Sequence, residues 1–193
     1  MSSTNELPSG YILDFRVDLQ KEKKKALLIN ILALLIAAVM VVIGLRFEPL
    51  FNLFTFEDGA LMYILRFLAI IIGSILYIVL HEAVHGIFMK LFSNKKVKYG
   101  FTGLYAYAGS DAYFCRRAYI IIALAPVVIW GVVLAVLSFV VSSSWFWVVY
   151  IIQISNISGA AGDIYVTCKF MTLPKDILIQ DSGVSMNVYK KET

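Results

Sequence analysis

The stretch Leu80 to Gly86 reads LHEAVHG, and His81, Glu82 and His85 within it carry the most evident chemistry of the chain. These are the only two histidines in 193 residues. On a helix, residues four apart share a face, with Cβ atoms roughly 5–6 Å apart, so both imidazoles can reach one ion. Two imidazoles at this spacing hold Zn²⁺, and a glutamate beside the first is placed to act as general base on a water. A chance scatter of polar residues at a helix end does not account for both histidines falling on one face around a glutamate. His81 and His85 are therefore read as metal ligands and Glu82 as the catalytic base.

The elements that must position these residues belong to a membrane protein. The chain is 60% hydrophobic and 16% charged, against about 45–50% and about 25% in a soluble domain. HEAVH directly follows the largely apolar run Phe67–Leu80. Four spans are expected, at about 26–45, 61–92, 118–141 and 145–166, each long enough for a hydrocarbon core of ~30 Å. Between the second and third, VKYGFTGLYAYAG alternates loosely with glycines and reads as a short cytoplasmic β-hairpin-like loop. The tail from Thr172 is expected on the membrane surface or packed under the helices. The expected fold is thus all-α, an integral membrane domain covering residues 1–193. The net charge of +4 comes from Lys and Arg at the ends of apolar runs, a topology signal rather than a nucleic-acid footprint. Those residues put both termini in the cytoplasm of a multi-pass cell-membrane protein. Cys115 and Cys168 form no CxxC pair and give no disulfide framework.

A zinc site with two histidines lacks one protein ligand. Glu82 and Asp163 are the only acidic residues inside the expected spans, and a carboxylate in a bilayer marks function by default. With Arg66 snorkelling to the outer interface, His81 and His85 lie roughly 22–28 Å further in. With Trp145 at the same interface, Asp163 lies roughly 27 Å in on a parallel helix. The three groups meet at one depth, near the cytoplasmic edge. Asp163 is surrounded by the small residues of NISGAAGD (Asn156–Asp163), which permit close helix approach. Asn156 is a candidate for contacting substrate or a developing oxyanion. The bland alternative for Asp163 is a helix-end residue paired with Lys169; Asp111, Cys115 and Cys168 are lesser ligand candidates.

With HEAVH on one apolar helix and Gly162-Asp163 on a later one, the chain resembles the site-2 protease class of intramembrane zinc metalloproteases. That resemblance implies an aspartate as third zinc ligand on a later helix, preceded by an asparagine. The NPDG-like element of those proteases is here NISGAAGD. The chain is more similar still to a family of small bacterial membrane proteins described as zincin peptidases. That similarity covers the basic entry to the first span, HEAVHG, the aromatic loop ending near Tyr119, Ala125-Pro126, Gly162-Asp163 and the IQDSG tail.

The expected activity is a membrane-embedded zinc metallopeptidase that cuts membrane or membrane-adjacent polypeptides near the cytoplasmic face. Its cofactor is Zn²⁺, its partners a polypeptide substrate and the bilayer, and nucleic acid is not among them. The alternative is a non-catalytic metal-binding membrane protein: an adaptor, immunity factor or transport component. Glu82 argues against it, because metal binding alone requires no glutamate there. A proton-relay transporter would require polar residues along a path, and the outer halves of the spans offer little beyond Arg66, Ser74, Ser138 and Gln153.

Overall fold

The computed structural model describes residues 3–18, 21–103 and 105–192. In chain order the elements are β1 (Tyr11–Val17), α1 (Lys23–Gly44), a 3₁₀ turn (Leu50–Phe54), α2 (Gly59–Phe92), β2 (Val97–Phe101) and β3 (Ala106–Ser110). They continue with β4 (Phe114–Cys115), α3 (Arg116–Val140), α4 (Ser143–Gly159), α5 (Ala161–Met171), β5 (Leu178–Asp181) and β6 (Met186–Lys191). The protein is therefore not all-α. It is a mixed α/β structure with two antiparallel sheets, one ordered β1-β6-β5-β4 and one β2-β3. The expectation failed because the strands are short, with β1, β5 and β6 in the terminal segments and β4 only two residues long, so paired backbone rather than apolar composition defines them.

Two compact units divide the chain. The first comprises residues 1–29, 81–126 and 162–193 and holds both sheets. Here β1 pairs with β6 from Tyr11↔Lys191 to Val17↔Met186, with a bulge between Leu13 and Phe15. β5 joins β6 through Leu178↔Tyr189 and joins β4 through Phe114↔Ile179. The tail thus completes a sheet with the N-terminal segment and, as one of the two expectations had it, packs against the helices, at Met89, Ile122 and Phe170. Phe114, Ile122, Phe170, Ile177, Ile179 and Val188 form its buried core, with Met89 of α2 and Val17 of β1. In the segment that reads as a hairpin, β2 and β3 pair from Val97↔Ser110 to Phe101↔Ala106. Leu104 of that segment lies outside the described residues.

The second unit, residues 30–80 and 127–161, packs Leu53, Phe146, Trp147 and Tyr150 with Met40 and Phe67. Arg66 does not snorkel. It is fully buried, bonded to the Asp58 carboxylate and, at 2.7 Å, to the Thr55 carbonyl. A partner carboxylate just before α2 lets the charge be neutralised where it sits.

Three helices, Lys23–Gly44, Gly59–Phe92 and Arg116–Val140, are long and apolar enough to cross a membrane, as a membrane protein requires. They leave large side chains such as Leu34, Ile72, Val79 and Phe139 exposed, apolar surface of the kind a bilayer covers. The stretch expected as a fourth span is two helices. α4 stops at Gly159, with the Ala160 N–H returning to the Asn156 and Ser158 carbonyls, and α5 begins at Ala161. Two glycines within four residues weaken a continuous helix here. The break places Asp163 in the first turn of α5, where a helix favours a carboxylate.

Candidate metal centre

The part of α2 from His81 onward belongs to the first unit, as does Asp163 of α5. The two histidines are buried, at 9% and 8% exposure, and their rings lie edge to face with centroids 4.9 Å apart. Nε2 of His81 is 3.4 Å from Oδ2 of Asp163, and Nε2 of His85 is 3.7 Å from the same oxygen. Ligand atoms of all three residues lie within 4.8 Å of one another. The structure thus brings together His81, His85 and Asp163, which sequence reasoning had matched by depth.

The donor set suits zinc. Bonds of about 2.0–2.2 Å in a tetrahedron place neighbouring ligand atoms roughly 3.3–3.6 Å apart, close to the distances observed and longer than a good hydrogen bond. Two imidazoles and one carboxylate leave the fourth position of such a site to water or substrate. His85 is also held from behind: its Nδ1 is 2.9 Å from the Ile122 carbonyl of α3. A carbonyl only accepts, so Nδ1–H donates, and Nε2 is the ring atom that faces Asp163.

Glu82 stands beside the ligands, half-buried, with the backbone of Ala108 in β3 against its carboxylate. The hairpin comes close to α2 here because Gly86 has no side chain. A Cβ at that position would fall 1.9 Å from the Tyr99 hydroxyl of β2. β3 is closely backed in turn: a Cβ on Gly109 would lie 2.3 Å from the Ser182 carbonyl carbon. The turn there needs Gly183 at φ +87°, and the Tyr107 ring covers it.

A buried pair that sequence reasoning missed lies in the same unit. The Tyr119 hydroxyl of α3 donates to Asp181 Oδ2 at 2.5 Å, and the Gly183 N–H donates to Oδ1 at 2.8 Å. Burial pushes the Asp181 carboxyl above the usual carboxylate range. The available signal was the IQDSG tail, an acid between apolar strand residues and a glycine turn.

Asn156 belongs to the second unit. Its Oδ1 accepts from the Tyr77 hydroxyl at 3.0 Å, and its Nδ2 donates to the Val127 carbonyl and to Gln153 Oε1. Among the lesser candidates, Asp111 is exposed and paired with Lys98 at 2.7 Å. Cys115 is buried and Cys168 exposed. Lys169 lies over the Phe15 ring, 4.2 Å from its centroid.

Residues 74–178, more than half of the chain, match the family described as "putative zincin peptidase". No curated protein and no solved structure matches the chain.

Proposed function

The chain belongs to this zincin peptidase family, and from that premise we propose that it is a membrane-embedded zinc metallopeptidase of the site-2-protease type. The observation that carries the reading is the convergence of His81, His85 and Asp163 donor atoms within 4.8 Å, with Glu82 adjacent. That the histidines lie on a helix apolar enough to span a membrane supports cleavage within or beside the bilayer, near the cytoplasmic face. The substrate is then a membrane or membrane-adjacent polypeptide, and the bilayer is the second partner.

His81, His85 and Asp163 would hold a zinc ion, which would supply Lewis acidity toward the scissile carbonyl and a water. Glu82 takes the proton from the attacking water and hands it to the leaving amine nitrogen. Asp163 brings a negative charge beside the two imidazoles, and the Ile122 carbonyl fixes the orientation of His85. The substrate segment must be unwound, because a helical backbone keeps its carbonyls engaged. Asn156 has its carboxamide engaged with Tyr77, Val127 and Gln153 and is given no part in the chemistry.

The test is elemental analysis of detergent-purified protein, together with cleavage of a fluorogenic peptide derived from a transmembrane segment. Wild type should hold about one zinc per chain, with His85→Ala and Asp163→Ala losing it. Glu82→Gln should retain the metal and lose cleavage by roughly 10²–10⁴-fold. A well-folded wild type without metal, or an unimpaired Glu82→Gln enzyme, would sink the proposal.

A further inference from the structure

We propose that Pro126 is a positioning residue for the metal centre, leaving the Ile122 carbonyl free for the His85 imidazole. The inference rests on the reading of His85 as a metal ligand. In an α-helix the N–H of each residue donates to the carbonyl four residues earlier. For position 126, inside α3, that acceptor is Ile122, and proline has no N–H to give. The carbonyl so released is the one that His85 Nδ1 reaches at 2.9 Å.

Burial makes the pairing consequential. Ile122, His85 and Pro126 are all buried, and a carbonyl shut away from water without a donor costs free energy. His85 supplies that donor, so its Nδ1 keeps the proton and Nε2 is held as the metal-facing lone pair. A covalent property of α3 thereby fixes the tautomer of a side chain on α2. The competing view, a proline kink merely tolerated in a span, gives residue 126 no bearing on metal affinity.

The experiment compares full-length wild type with Pro126→Ala and Pro126→Gly in detergent; both variants restore an N–H able to bond the Ile122 carbonyl. Three readouts are taken: zinc affinity by competition with a chromophoric chelator, the His85 tautomer by ¹⁵N NMR of the metal-free protein at a pH where the ring is neutral, and the unfolding temperature. We expect both variants to bind zinc about 10-fold more weakly, the scale of losing a partner behind a ligand. The Nδ1–H tautomer of His85 should give way to a mixture. Pro126→Ala should unfold at the same or a higher temperature, because it regains a helical hydrogen bond and helix propensity. Weaker binding in a protein that is no less stable separates positioning from general damage.

Unchanged affinity and an unchanged His85 tautomer would overturn the inference, as would weaker binding explained by a parallel loss of stability in both variants. Absence of zinc from the wild type would instead sink the ligand reading. The tautomer comparison would still report whether Pro126 governs His85.

Discussion

Asp163 and Asp181 are two acids in the same unit with different surroundings. Asp163 faces two imidazoles, while Asp181 receives a phenol and a backbone amide. Because burial raises the Asp181 carboxyl above its ordinary value, the folded protein binds that proton more tightly than the unfolded chain does. Its contribution to stability is full below the unfolded value of about 3.9 and is lost as pH rises through the raised folded value. Asp181→Asn should remove this component, so unfolding free energy followed upward from about pH 4 should fall less steeply in the variant. Parallel pH profiles would refute it. The histidines and Glu82 were legible in the sequence because a metal motif is local. Asp163 was legible because acids in apolar runs are rare. The Tyr119–Asp181 pair was not, since its members stand 62 residues apart and nothing in the aromatic loop or the IQDSG tail says that the two meet. The Ile122 carbonyl escaped notice because backbone acceptors leave no mark in residue types.

The elements around the site tolerate change unequally. A Cβ at Gly86 meets the far end of the Tyr99 side chain, which can swing away. At Gly109 it meets the Ser182 backbone, which cannot move without disturbing the turn between β5 and β6. Gly109→Ala should therefore cost about 1–3 kcal/mol of stability, the usual scale of forced overpacking. It should also slow cleavage, because β3 carries the Ala108 backbone that faces Glu82. Denaturant unfolding alongside zinc analysis checks this: stability and rate should fall while metal is retained. The helices were readable from apolar run length, and the hairpin segment from its glycines. The four-stranded sheet was hidden because β4 has only two residues and β1 and β6 sit in charged termini. The α4–α5 break was legible only in part, because Gly159 and Gly162 permit a local unwinding that aims Asp163 but read equally well as close-packing residues within one span.

For the molecule as a whole, β1 and β6 are the first and last strands, and they are paired. Helices that cross a bilayer must therefore do so an even number of times to return β6 to β1. Among the described residues three helices satisfy length and apolarity by themselves, and α4, whose 17 residues extend roughly 26 Å, is the expected fourth. Reporter fusions should place both ends on one face of the membrane, which the basic residues lead us to expect is the cytoplasmic one. A fluorescent protein should then glow at either end, and a phosphatase active only outside should stay silent. Opposite results at the two ends would refute the even count. The same pairing sets an order of assembly. On the ribosome β1 emerges well before β6, its partner in the sheet. The helices between them are therefore synthesised before the sheet carrying Asp181 can close.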